Sequence, residues 1–179
     1  SRGLGDVYKR QVDTCEPEDG EPGVSLCPSP EVYGRLDLDL TDNPDLAPAL
    51  AATACLIGVP FRLVGLKGLS GKECDRLEAI CTELSKLGRI VEKIRDYGIE
   101  WEGKSVPVSE IPSFDSHGDH RMAMDLAPAA VYVPGITIAG AEAVAKSYPE
   151  FWDDLRAIGF TVEEVSDDEA GGAGMEVSA

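Results

Sequence analysis

The chain has 179 residues, 43% of them hydrophobic, with 16 Lys and Arg against 33 Asp and Glu and a net charge of −17; its pI is near 4.3. That length suits one domain, or one and a fraction, with a real core. The charge argues against nucleic acid or anionic membrane as a general partner, no apolar run approaches the roughly 18 residues of a membrane span, and no signal-peptide pattern opens the sequence.

Residues 1–11 lack an initiator Met and any clear period. Gly5-Asp6-Val7-Tyr8-Lys9-Arg10-Gln11 resembles a junction that recurs at the ends of assembled environmental sequences. The segment is read as foreign or disordered, and the chain as cut at its N-terminus. Residues 12–28 are rich in Glu, Asp, Gly and Pro and read as a turn and a hairpin strand around Val24-Ser25-Leu26. Leu36-Asp37-Leu38-Asp39-Leu40 alternates strictly, the pattern of a half-buried strand, and Thr41-Asp42-Asn43-Pro44 ends it. Asp45 is placed to cap a helix running to about Ile57, with Pro48 in its first turn, Leu46, Leu50, Ala51 and Cys55 on its buried side, and Gly58 as its stop. A strand over 61–64 and a loop over 65–71 with three glycines follow.

The strongest periodicity predicts a helix over 72–87, with Leu77, Ile80, Cys81, Leu84 and Leu87 on one stripe and Gly88 beyond its end. Two short strands, over 90–94 and 99–101, surround Asp96-Tyr97-Gly98. The order so far is strand, helix, strand, helix, strand, strand. A partial second copy then begins: a strand over 111–114, a helix from His120 to about Ala130, a strand over 135–139, and a helix opened by Pro149 in which Phe151, Trp152, Leu155 and Ile158 pack inward. This is an internal-repeat signal of fewer than two full copies. From Glu163 onward the tail carries six acids, no base and a glycine cluster, so residues 161–179 are expected to be disordered. The fold class is α/β (α+β), with residues 12–160 forming part of one domain.

Five cysteines, Cys15, Cys27, Cys55, Cys74 and Cys81, show no CxxC spacing; the odd count reads as reduced thiols in a cytoplasmic protein. With two histidines and no His/Cys cluster, no metal site is expected. Gly118-Asp119-His120-Arg121 feeds directly into a helical pattern, where free backbone N–H groups and the helix dipole favour an anion. It reads either as an anion seat or as an Asp N-cap beside an exposed Arg. Asp45 likewise reads as an N-cap or as a carboxylate presented at a sheet edge. In the predicted helix, Lys72, Glu73 and Arg76 share one face, either solvated or turned toward a ligand across the glycine-rich loop. Lys146 lies in a loop before a helix, and His117 is ambiguous.

Four segments in this order, Asn43-Pro44-Asp45-Leu46-Ala47, Lys72-Glu73-Cys74-Asp75-Arg76-Leu77, Asp119-His120-Arg121-Met122-Ala123-Met124 and Lys146-Ser147-Tyr148-Pro149, resemble the C-terminal half of the EPSP synthases, the 3-phosphoshikimate 1-carboxyvinyltransferases. The resemblance runs from about Leu36 to Phe160. It implies an enolpyruvyl transferase fold of βαβαββ units, here part of one of two like domains, with the other domain and the N-terminal half of the enzyme missing. It also implies transfer of the enolpyruvyl group of phosphoenolpyruvate to the 5-hydroxyl of shikimate 3-phosphate with release of phosphate, without metal or cofactor, by a cytoplasmic and monomeric full-length enzyme of aromatic amino acid biosynthesis.

By the same resemblance Asp45 is the base and binds shikimate 3-phosphate with Lys72. Glu73 is the proton donor, Arg76, Arg121 and Lys146 hold phosphoenolpyruvate, and Asp119 and His120 support the site. Two departures stand out: Gly68 occupies a position where a polar residue usually meets shikimate 3-phosphate, and Cys74 replaces Thr or Ser, on the helix side away from Lys72 and Arg76. The alternatives are a non-catalytic anion-binding half-domain and a UDP-N-acetylglucosamine enolpyruvyl transferase, which the Lys-Glu-x-Asp-Arg and Asp-His-Arg-Met-Ala segments disfavour. The chain alone is expected to be inactive.

Overall fold

A computed structural model describes the backbone of residues 10–15, 23–28, 34–165 and 174–179. The chain divides into two units, Ser1–Leu36 and Asp37–Ala179. In the first, β1 (Arg10–Cys15) and β2 (Gly23–Pro28) form an antiparallel hairpin whose register runs from Arg10 opposite Pro28 to Cys15 opposite Gly23. Its first strand takes in Arg10 and Gln11, the last two residues of the segment read as foreign; residues 1–9 lie outside the described residues, as do the side chains of Cys15 and Cys27. Cys55, Cys74 and Cys81 are free thiols.

The larger unit is built from two copies of one βαβαββ plan. The first copy is β3 (Leu36–Asp39), α1 (Ala47–Ile57), β4 (Phe61–Val64), α2 (Arg76–Lys86), β5 (Glu92–Ile94) and β6 (Gly98–Trp101). The second is β7 (Ser113–Asp115), α3 (His120–Leu126), β8 (Ile136–Ala139), α4 (Phe151–Ala157), β9 (Thr161–Val165) and β10 (Gly174–Ser178). The sheet orders, β3-β4-β6-β5 and β7-β8-β10-β9, are the same in both. Each ends in an antiparallel pair, β5 with β6 and β9 with β10, whose last strand also pairs antiparallel with the second strand of its unit, β4 or β8.

The second copy is therefore complete, and this corrects two expectations. The repeat does not stop short of two copies, and within the segment expected to be a disordered tail Thr161–Val165 and Gly174–Ser178 are strands. Val162 is 6% and Val177 0% exposed, and β10 lies inside its sheet between β8 and β9. The acids of these strands fall mainly on exposed positions of short strands, so composition hid a sparse apolar alternation. Residues 166–173, part of the same expectation, lie outside the described residues.

The repeat extends to its turns. Asp39 and Asp115 each end the first strand of their copy, and the Oδ1 of each accepts the N–H two residues on, from Thr41 at 3.0 Å and from His117 at 2.7 Å. Directly after the second strand stands a glycine at positive φ, Gly65 (+81°) or Gly140 (+65°). A Cβ on Gly65 would lie 2.4 Å from the Thr41 nitrogen, and one on Gly140 would lie 2.4 Å from the Ser116 hydroxyl. Only glycine permits both the conformation and the approach.

Helix α1 is buried almost all round, through Ala47, Pro48, Leu50, Ala51, Ala52, Ala54 and Cys55, because it packs on both α2 and α3. Gly58, left-handed at φ +73°, ends it as expected. Other boundaries differ. Helix α2 starts at Arg76 rather than Lys72, because Asp75 caps it by accepting from the N–H groups of Leu77 and Glu78. Helix α3 gives way after Leu126 to a 3-10 segment, Ala127–Val131, with a proline in its first turn. In α4, Trp152 and Leu155 are buried, whereas Ile158 is 73% exposed, just past the end of the helix.

Candidate active site

The first loop of each copy delivers an aspartate to one guanidinium. Arg76, the first residue of α2, is only 2% exposed. Its Nε meets Asp119 Oδ2 at 2.5 Å and its Nη2 meets Asp119 Oδ1 at 3.2 Å, a bidentate fork. Its Nη1 donates to Asp45 Oδ1 and its Nη2 to Glu73 Oε2, both at 2.8 Å. Three carboxylates from three separate loops thus converge on one buried cation. Burial works against the charge on Arg76, but the Asp119 hydrogen bond and the surrounding carboxylates outweigh it and raise its pKa. Burial likewise works to raise Asp119, and the bonds from Arg76 and from the Arg121 N–H win, holding it below its ordinary value.

Asp45 does not cap α1. It sits in a 3-10 turn, Pro44–Leu46, and Leu46 occupies the cap position. The Asp45 carboxylate is thereby free to face Arg76, Lys72 (Nζ to Oδ1, 3.4 Å) and Arg121 (Nη2 to Oδ2, 3.9 Å). Lys72 and Glu73 lie in the irregular stretch before α2, so the shared helical face expected for Lys72, Glu73 and Arg76 does not exist. They meet through the loop instead. The expected orientation of Cys74 is also corrected: because its segment is not helical, Sγ turns inward to within 3.7 Å of Asp119 Oδ2. Burial, reinforced by Asp119, pushes that thiol up to about 11, which favours the protonated thiol over the nucleophilic thiolate.

Asp119 is both the N-cap of α3, accepting from Arg121 N–H at 2.9 Å, and the main partner of Arg76. The N-cap and anion-seat readings of this segment therefore coexist, since the cap's carboxylate faces the cluster. His120 Nδ1 lies 3.8 Å from both Glu73 Oε1 and Asp119 Oδ1 and is buried without a hydrogen-bond partner. Arg121 reaches the Asp45 carbonyl at 3.4 Å and keeps 38% of its side chain exposed. Lys146 does not touch the carboxylates; it donates to the Gly118 carbonyl at 2.8 Å, at the entry to α3. Gly68 lies just before this group, and a Cβ on it would meet nothing within 4 Å.

The eight residues singled out in the sequence are thus brought together, seven directly and Lys146 by way of Gly118. Lys72, Arg76 and Arg121 face the three carboxylates, and Lys146, held at the Gly118 carbonyl, adds a fourth cation to the group, in a chain whose net charge is −17. Such a cluster can accept a small multiply charged anion if carboxylates give up their partners to it. Glu73, Asp119 and His120 offer ligand atoms within 4.8 Å of one another. Both oxygens of Asp119 already belong to Arg76, whose charge opposes a metal ion there.

Two acids escaped the sequence reading. Glu83, 0% exposed on α2, bonds Lys86, His117 and the Asp115 N–H. Asp125, one turn beyond Arg121 on α3, is pushed up to about 7 chiefly by burial, with Arg121 and Arg76 pulling down and Asp119 pushing up. The only available signal was an acid on an otherwise apolar face, which composition does not separate from a solvated position.

The EPSP synthase (3-phosphoshikimate 1-carboxyvinyltransferase) family matches residues 27–155. A Bacteroides fragilis protein named 3-phosphoshikimate 1-carboxyvinyltransferase is 44% identical over 143 residues, covering 80% of this chain and 35% of that protein. Proteins of the same name from Syntrophobacter fumaroxidans and Methanopyrus kandleri are each 41% identical, over 77% and 74% of the chain and 32% and 31% of their own lengths. The chain spans about a third of the length of the curated relatives it matches.

Proposed function

The chain belongs to the EPSP synthase family, and from that premise we propose that it supplies one side of an active site that transfers the enolpyruvyl group of phosphoenolpyruvate to the 5-hydroxyl of shikimate 3-phosphate. The observation that supports this most is the convergence of Asp45, Glu73 and Asp119 on buried Arg76, with Lys72 and Arg121 at its exposed edge. In this reading Arg121 and Lys146 hold phosphoenolpyruvate, and Arg76 turns its Nη edge to the same anion as Glu73 and Asp45 let go. Lys72 binds shikimate 3-phosphate. Asp45, released from Arg76, takes the proton of the attacking hydroxyl, and Glu73 delivers a proton to the methylene carbon. The hydroxyl oxygen bonds to the neighbouring carbon, which becomes tetrahedral while still carrying phosphate, and the surrounding cations stabilise its charge. The bond to phosphate then breaks as the new methyl group returns a proton to Glu73, which restores the carbon–carbon double bond, and the proton held by Asp45 goes to the departing phosphate. In this reading a second, like domain completes the site, and the full-length enzyme is cytoplasmic and monomeric.

A hybrid makes this testable: residues 34–179 replace the matching stretch of the Bacteroides fragilis relative. Arg121→Ala in that hybrid is expected to raise KM for phosphoenolpyruvate at least tenfold while its unfolding free energy stays within about 0.5 kcal/mol of the parent, the range of a surface substitution. Unfolding by Arg121→Ala would instead make Arg121 a structural residue.

A further inference from the structure

A second ionic cluster lies behind the first, and its centre is Glu83. This carboxylate is 0% exposed and is held by two groups at the start of the second copy and by Lys86 of its own helix. Its Oε2 accepts the Asp115 N–H at 3.0 Å and lies 2.7 Å from Lys86 Nζ; its Oε1 lies 2.8 Å from His117 Nε2. Lys86 in turn donates to the Ser113 carbonyl at 2.8 Å. Helix α2, which opens with Arg76, is thus bonded along its length to β7 and to the turn that follows it.

That turn is costly to form. His117 sits at φ +52°, a left-handed conformation that is unfavourable for a residue with a side chain. Two bonds hold it there, one from its own N–H to Asp115 Oδ1 and one from its ring to Glu83. The turn then fixes the next residues: the Ser116 carbonyl accepts the Asp119 N–H, the Ser116 hydroxyl accepts the Gly118 N–H, and the Gly118 carbonyl holds Lys146.

We propose that Glu83 is a positioning residue for the anion seat: by clamping the 115–118 turn onto α2 it sets where Lys146 and the Asp119-His120-Arg121 segment stand relative to Arg76. Only the identity of the ligand rests on the reading given above.

The test compares Glu83→Met, which fills the same volume without an acceptor, with Glu83→Gln, which keeps one. Amide hydrogen exchange is read by NMR on the full 179-residue chain. Glu83→Met is expected to speed exchange at Asp115, His117 and Asp119 at least tenfold while Leu63 and Ile99, in strands β4 and β6, stay within twofold; Glu83→Gln is expected to restore the turn to within threefold of the parent. Should Glu83→Met not fold, His117→Phe, which severs only the ring contact, is expected to speed the same three amides at least threefold. In the hybrid, Glu83→Met is expected to raise KM for phosphoenolpyruvate about tenfold with kcat within threefold. Unchanged exchange over 115–119, equal acceleration everywhere, or a loss of kcat at constant KM would each overturn the proposal. A parent hybrid without turnover would sink the reading of the ligand, and the exchange comparison would still decide the role of Glu83.

Discussion

Asp119 and Asp45 both bond Arg76, but they stand in different surroundings. Asp119 is fully buried, so Asp119→Asn removes the charge from the fork and leaves a buried guanidinium short of its partner. Breaking a buried pair this way costs about 3–5 kcal/mol, measurable as a loss of denaturant midpoint in the 179-residue chain. Asp45 is 35% exposed and shares its load with Lys72 and Arg121, so Asp45→Asn is expected to cost less than about 1 kcal/mol. Asp125 adds a pH dependence of defined sign. Its folded pKa of about 7 lies above the ordinary carboxylate value near 3.8, so between these pH values the folded chain keeps a proton that the unfolded chain has lost. Its stabilising contribution is full below about pH 4 and is lost as pH rises through 7. Asp125→Asn is therefore expected to match the parent near pH 4 and to exceed it at pH 8 by on the order of 4 kcal/mol, read from urea melts at both pH values. The roles of Asp45 and Lys146 rested on the family resemblance, since neither stands in a group of ionisable residues that points to a ligand; Asp119, His120 and Arg121 were legible because they stand together at a helix start. Cys74, Glu83 and Asp125 were not, because only three-dimensional packing tells a buried polar side chain from a solvated one.

The strands and helices of the first copy follow closely from periodicity: the alternation of Leu36, Leu38 and Leu40 and the stripe from Leu77 to Leu84 each name their element. The exact start of α2 did not follow, since Lys72 and Glu73 suit a helix as well as a loop, and the cap contributed by Asp75 decided between them. The last two strands were lost for a different reason. In β9 and β10 the buried positions are few, and charge dominates any window that includes them. Recognising that the first copy ends in two strands would have supplied the missing pair. Because β10 separates β8 from β9, deletion of residues 161–179 is expected to remove half of the second sheet, expose Ile136 and Ile138, and abolish a cooperative thermal transition in circular dichroism. A dispensable tail would leave the transition unchanged.

Across the whole larger unit, the two copies place equivalent loops beside one another: Asp45 and Asp119 follow the first strands, Lys72 and Lys146 the loops after the second. Each copy thus contributes one acid, Asp45 or Asp119, to Arg76, and one lysine, Lys72 at Asp45 or Lys146 at the Gly118 carbonyl. The strongly acidic remainder of the chain raises the cost of unspecific anion binding and leaves the cluster as a local exception. Its assignment to enolpyruvyl transfer is tested most directly by phosphate release from the hybrid that carries residues 34–179 within the Bacteroides fragilis relative. Release that requires both phosphoenolpyruvate and shikimate 3-phosphate, and that is absent from the 179-residue chain alone, is the expected result. A hybrid that folds cooperatively, binds neither substrate and releases no phosphate would contradict it.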